Sequence, residues 1–178
     1  MVKKVNIMDV FMESDGRWFH LRELARTAGI SPRTAKKMAT GCIKPGLLEQ
    51  KRERNLLLFR ANRSSEAFRL EKTEWNLRKI RDSGILGYLD RELNAPCIVL
   101  FGSWSRGENT ENSDIDLFVL SESARELDLD RFESRLGARI QLFRLDKKEF
   151  RKLQKKSPEL AHNIINGRIL SGYLDAFG

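Results

Sequence analysis

Two short clusters carry the residue types that could do chemistry. Gly102-Ser103-Trp104-Ser105-Arg106-Gly107 is followed, after the polar loop Glu108-Asn109-Thr110-Glu111-Asn112-Ser113, by Asp114-Ile115-Asp116-Leu117. A glycine lets the backbone turn sharply and leaves its amides free to face an anion. A serine hydroxyl at the start of the next helical turn, with Arg106 one turn on, adds a donor and a fixed positive charge. On a strand, Asp114 and Asp116 share one parity and point to the same face, while Ile115 and Leu117 point into the core. Two carboxylates that close repel unless a divalent cation neutralises them. A phosphate cradle beside a metal-holding carboxylate pair is the chemistry this spacing can support.

Gly102-Ser103, Arg106-Gly107 and Ser113-Asp114-Ile115-Asp116-Leu117 together resemble the signature of the polymerase-beta-type nucleotidyltransferases, in particular its small "minimal" branch. The resemblance covers roughly residues 83–172. It implies a short mixed sheet with helices on one side. It also implies nucleotide phosphates on Gly102 and Ser103, metal ions on Asp114 and Asp116, and a phosphate contact from Arg106. The implied cofactor is Mg²⁺ or Mn²⁺ and the implied substrate an NTP, ATP first. The implied reaction is transfer of a nucleoside monophosphate to a hydroxyl or phosphate acceptor with release of pyrophosphate.

The family's third carboxylate lies on a later strand. Here that strand is expected at Arg139-Ile140-Gln141-Leu142-Phe143, and the matching position is Gln141. An amide cannot take a proton from an attacking hydroxyl and is a poor Mg²⁺ ligand beside a carboxylate. A slipped alignment, or Asp146 on a strand end that bends back, are the alternatives. Asp128, Asp130 and Glu133 are expected as surface charges of the preceding helix.

The elements that must position these groups follow from the patterning. Cys97-Ile98-Val99-Leu100-Phe101 and Leu117-Phe118-Val119-Leu120 are strand-forming apolar runs. Asn94-Ala95-Pro96 turns the chain into the first of them. Upstream, residues 65–82 read as a long helix with Phe68, Leu70, Trp75, Leu77 and Ile80 as its apolar positions, and 85–93 as a shorter one. Downstream, Asp128–Leu136 and Lys147–Lys156 read as helices. The second has Phe150 and Leu153 inward and Lys147, Lys148, Arg151, Lys152, Lys155 and Lys156 outward, as a solvated face or a phosphate-binding rim. Ser157-Pro158 starts a last helix, and Ile169-Leu170 with Tyr173 form a closing segment. Trp104 either stacks on a base or packs against the N-terminal half. His20 and His162 have no ligand-spaced partners.

The N-terminal third differs in charge. The 178-residue chain carries a formal net charge of +8. Residues 1–63 hold 14 Lys/Arg and 6 Asp/Glu, whereas residues 64–178 hold 19 of each. Such asymmetry points to two domains and a nucleic-acid-facing N-terminus. Helices are expected at 3–13, with Val5 to Met12 as its apolar side, at 21–28 and at 31–40. Ser31 is suited to cap the third and Pro32 to its first position. Gly29-Ile30 forms the turn, and Ala35, Met38 and Ala39 face inward. Leu47–Arg52 and Leu56–Arg60 around Glu53-Arg54-Asn55 read as a hairpin. Over residues 3–61 this order resembles a winged helix-turn-helix. The resemblance implies Arg33, Thr34, Lys36 and Lys37 at a major groove, with Lys51, Arg52 and Arg54 on phosphates. Trp18 and Phe19 are expected in the core.

The expected architecture is therefore α+β: a winged helix-turn-helix over 1–62, linking helices over 63–95, and a nucleotidyltransferase-like domain over 96–178. Its expected partners are NTP, double-stranded DNA and, as a candidate, a second copy of the chain. No run of 18 apolar residues exists, so no membrane span is expected, and the N-terminus lacks a signal-peptide core; the expected location is the cytoplasm. Cys42 and Cys97 are too far apart to suggest a metal site. Two further readings remain: a DNA-binding regulator whose nucleotidyltransferase domain senses ligand or dimerises without turnover, and an antitoxin-like role with a helical partner.

Overall fold

The computed structural model describes residues 6–94 and 97–174. Val5 of the expected first helix and Ala95-Pro96 of the expected turn lie outside them. The chain forms two compact units, 1–72 and 73–178, and the division falls inside one helix.

In the first unit, α1 (Ile7–Glu13), β1 (Phe19–His20), α2 (Leu21–Thr27), α3 (Pro32–Gly41), β2 (Leu48–Glu53) and β3 (Leu56–Ala61) precede α4 (Glu66–Ser83). The Ser31 hydroxyl accepts the Thr34 amide at 3.1 Å and so caps α3 as expected. β2 and β3 pair antiparallel from Leu48–Ala61 to Glu53–Leu56, leaving a two-residue loop. Arg54 and Asn55 hold it at φ 45° and 64°, the left-handed pair that matches hairpin twist. β1 adds to the other edge of β3, giving the order β1-β3-β2. This short strand was not expected from the sequence. Ile7, Phe11, Phe19, Leu24, Ala35 and Phe59 form the core, with the Phe11 and Phe19 rings edge to face at 5.5 Å.

Three expectations for apolar residues fail. Met38 is 37% exposed and Leu70 55% exposed, so Ala35 and Ala39 alone seat α3 from its expected inner face. Trp18 is only half-buried: Lys51 Nζ and Arg60 Cζ lie 4.7 and 4.5 Å from its ring centroid. Cations on the ring faces let the indole remain partly exposed. In place of Leu70, α4 buries polar groups. Lys72 is 2% exposed and pairs with Asp15, itself 4% exposed, which also meets Arg63 at 3.5 Å.

The second unit continues with α5 (Ile85–Leu93), β4 (Cys97–Phe101), α6 (Gly102–Arg106), β5 (Ile115–Leu120), α7 (Asp130–Leu136), β6 (Ile140–Leu145), α8 (Lys147–Lys156), α9 (Pro158–Ile165) and β7 (Arg168–Gly172). Its sheet runs β6-β5-β4-β7, with β5–β6 parallel and the other pairs antiparallel. The implied placing of helices on one side does not hold. Ile98, Leu100, Ile115, Leu117 and Val119 pack with residues of α4, α5 and α7 on one face. Cys97, Val99, Phe101, Phe118 and Leu120 pack with α8 and α9 on the other. Both parities of β4 are apolar and fully covered, which a one-sided sheet would not require.

Candidate functional site

The site lies where β4 ends and β5 begins. β4 and β5 pair antiparallel with Phe101 opposite Asp116, so the residue after Phe101 meets the Asp116 side chain directly. That residue is Gly102, at φ +68°. A Cβ there would stand 2.1 Å from Asp116 Oδ2 and 3.0 Å from its Cγ. A side chain there would have to push the Asp116 carboxylate aside and also adopt a left-handed backbone, so glycine is favoured on both counts. Ser103 follows in α6, half-buried, and among the described residues its hydroxyl has no hydrogen-bond partner. The Ser105 hydroxyl donates to the Gly102 carbonyl at 2.8 Å.

Asp114 stands exposed just before β5, on the parity of Asp116. The Asp116 carboxyl is pushed above its ordinary range, first by burial and then by the Asp114 charge, with Arg106 pulling partly the other way. Arg106 itself is about half exposed and pairs through Nε with Glu108 at 2.7 Å.

Gln141 sits opposite Asp116 in the parallel β5–β6 pair. It shares the face of the aspartate and is exposed. Asp146 lies past the far end of β6, five residues on, or roughly 16 Å at strand rise. Its carboxylate caps α8, accepting the Glu149 amide at 2.6 Å. Glu133, expected as a surface charge, instead accepts the Ile140 amide at 2.7 Å and anchors the start of β6.

Sequence reasoning missed the group that steadies this region. Asn76 of α4 is fully buried and donates to the Trp104 carbonyl at 2.9 Å and to Asn109 Oδ1 at 2.8 Å. Trp104 is 4% exposed within the core of its own unit, and its indole N–H reaches the Ser113 carbonyl at 3.3 Å. One buried amide and one indole thus tie α6 to both ends of the loop that delivers Asp114. An apolar-pattern reading of α4 passes over an asparagine; a polar residue in line with Trp75 and Ile80 was the available signal.

Among the described residues, no three or more His, Cys, Asp or Glu side chains gather closely enough to hold a metal by themselves. Two carboxylates remain, which suits a Mg²⁺ that takes its other ligands from water and substrate phosphates. The electrostatic strain on Asp116 is the kind a divalent cation relieves.

The expected DNA-facing residues lie in the first unit. Arg33, Thr34, Lys36 and Lys37 are exposed along α3, and Lys51, Arg52 and Arg54 are exposed on the hairpin. The Thr34 hydroxyl is engaged with Ser31 at 2.8 Å and Lys51 with Glu53 at 2.8 Å.

A buried strand, a glycine-started helical turn and a returning strand with paired aspartates, in a four-stranded mixed sheet, make the second unit nucleotidyltransferase-like in its order of elements. Residues 84–172, half of the chain, match the family described as polymerase beta, nucleotidyltransferase, and the chain belongs to that family. No curated protein and no solved structure matches it. Domains of this type act on nucleotides and typically use divalent metals. Among the described residues, no helix is long and apolar enough to cross a membrane.

Proposed function

We propose that the second unit binds Mg²⁺·NTP, with ATP the first nucleotide to test, and transfers its nucleoside monophosphate to an acceptor hydroxyl or phosphate. The observation that carries this reading is the fit of Gly102 against Asp116, whose carboxylate lies against the bare Cα of the turn and would be displaced by any side chain there. In this reading Gly102 and Ser103 cradle the distal phosphates, Arg106 adds a phosphate contact, and Asp114 and Asp116 hold the metal. The bound cation supplies charge neutralisation at the phosphates. In the transfer, the acceptor oxygen bonds to the α-phosphorus, the bond from that phosphorus to the oxygen bridging it to the β-phosphorus breaks, pyrophosphate leaves, and the proton of a hydroxyl acceptor passes to solvent.

The first unit is proposed as a winged helix-turn-helix that docks on double-stranded DNA. Arg33, Thr34, Lys36 and Lys37 of α3 would face the major groove, and Lys51, Arg52 and Arg54 would lie along phosphates. The capped helix after a tight turn, the two-residue hairpin loop and the exposure of these cations support it.

One observation favours a second reading, a regulator that binds nucleotide with little or no turnover. Gln141 stands opposite Asp116, where a third carboxylate would complete the set. Nucleotide binding needs Asp114 and Asp116; proton removal from the acceptor needs more.

Calorimetry of Mg·ATP binding to the full chain tests the shared premise. Binding by the wild type and its loss in Asp114→Asn/Asp116→Asn is expected, and unchanged binding in that variant rejects both readings. Transfer of labelled AMP to any acceptor by the purified chain then separates them.

A further inference from the structure

α8 carries a strongly one-sided charge. Its ten residues hold six Lys/Arg against one Glu, in a unit where residues 73–178 hold 17 of each sign. The apolar side of the helix is committed. Phe150 is 3% exposed and meets the Phe118 ring at 5.1 Å, and Leu153 packs into the same cluster. The cations therefore fall on the outer face at helical spacing. Among the described residues, Lys147, Lys148, Arg151, Lys152 and Lys155 line a shallow groove of about 350 Å³. The one acid, Glu149, is used in the helix cap, accepting the Asp146 amide at 2.9 Å. Among the described residues, no carboxylate pairs with Lys147, Lys148, Lys152 or Lys155.

We propose that this outer face of α8 binds the phosphate backbone of a nucleic acid. Like charges four residues apart oppose one another along a helix, and a polyanion laid across them removes that repulsion. From Lys147 to Lys155 the face spans about 12 Å of helix, over which a duplex presents about seven phosphates. A membrane fits less well, because insertion needs a free apolar face and the apolar side of α8 is already in the core. An acidic protein fits less well too, because the groove lining offers no aromatic or aliphatic anchor around which an interface could centre. The surface belongs to the second unit and stands independently of the DNA reading of α3 and the hairpin.

The test uses the full chain with Arg33→Gln, Lys36→Gln, Lys37→Gln, Arg52→Gln and Arg54→Gln, which removes the other cationic face. Labelled duplex DNA and single-stranded RNA of about 20 units are titrated by anisotropy between about 50 and about 200 mM salt. Residual binding is expected in this background. Adding Lys147→Gln, Lys148→Gln, Lys152→Gln and Lys155→Gln should weaken it at least about tenfold and flatten the salt slope by about three, from 0.7–0.9 per phosphate contact. Arginine at the same four positions should retain binding. The DNA and RNA arms show which backbone is preferred. On the unsubstituted chain, bound nucleic acid should protect these four lysines from acetylation, a readout that needs no variant to fold. Absence of binding in the background chain, unchanged affinity on glutamine substitution, or no lysine protection overturns the proposal. So does stronger binding to anionic vesicles or to polyglutamate at equal charge.

Discussion

Gly102→Ala is the sharpest perturbation of the proposed cradle, because its two costs can be separated. The added methyl must adopt φ +68° and would lie 2.1 Å from Asp116 Oδ2. The backbone cost alone is about 1 kcal/mol. Gly137 measures that cost in isolation: it stands at φ +70°, with nothing within 4 Å of a built Cβ. Gly137→Ala should therefore lower stability by about 1 kcal/mol, or about 4 °C in Tm for a unit of this size, and leave Mg·ATP binding unchanged. Gly102→Ala should lose a further 1–3 kcal/mol, roughly, from overpacking against the carboxylate. It should also weaken Mg·ATP binding at least about tenfold, since Asp116 has to move and every 1.4 kcal/mol lost is about a factor of ten.

Urea denaturation and calorimetry of the two variants provide the comparison, with Asp116→Ala closing a double-mutant cycle. Removing the carboxylate should recover most of the excess stability loss of Gly102→Ala, giving a coupling of about 1 kcal/mol or more, without restoring nucleotide binding. Equal stability losses in Gly102→Ala and Gly137→Ala would refute the steric argument. Wild-type Mg·ATP affinity in Gly102→Ala would refute the placement of nucleotide at this turn.

Three further outcomes are expected. The folded-state pKa of Asp116 is raised, so the folded chain holds that proton more tightly than the unfolded chain. The resulting penalty is absent below the ordinary value of 3.8, grows as pH rises, and is complete above the raised value. Asp116→Asn should therefore melt higher than wild type at neutral pH without metal, with the gap closing in acid; a lower melting point at neutral pH would contradict the assignment. Asn76→Ala removes donors to Trp104 and Asn109 and should cost about 1–3 kcal/mol in urea denaturation while weakening Mg·ATP binding. Gln141→Asp should raise AMP transfer at least about tenfold over wild type if the third carboxylate is what turnover lacks, measured with labelled ATP and any acceptor found.

Much of the second unit was legible because its strands are written in uninterrupted apolar runs. Cys97 to Phe101 are all buried, and the run stops at a glycine that the pairing with Asp116 demands. The apolar pattern also locates the later strand closely enough to single out Gln141, and the β5–β6 register sets that residue opposite Asp116. What stayed hidden depends on partners distant in sequence. Lys72 and Asp15 are 57 residues apart, and Asn76 and Asn109 are 33 apart. Local periodicity reports which face of a helix is apolar; it cannot report that a lysine and an asparagine on α4 are buried by what they meet. Trp18 shows the converse. Its ring looks like core from composition alone, and only the register of β2 against β3 brings Lys51 and Arg60 to its faces.

These separate origins bear on how the site could keep one capacity and lose another. Asp116 is placed by β4 pairing, through Phe101, and by the bare Cα of Gly102. Asp114 follows a loop held by neutral hydrogen bonds from Asn76 and Trp104. Neither device involves the side chain of Gln141, which is exposed and, among the described residues, makes no hydrogen bond. Position 141 can thus exchange an amide for a carboxylate without removing a contact that holds the turn, although without a cation the new charge would repel Asp114 and Asp116. Gln141→Asp should lose up to about 1 kcal/mol at neutral pH without metal, because it sets a like charge directly opposite Asp116, and should approach wild-type stability in acid or with Mg²⁺. Any gain in transfer then reports the chemistry of the third group and not a rebuilt site, whereas a large loss of stability that persists in acid would show that the Gln141 side chain helps to set the carboxylates after all.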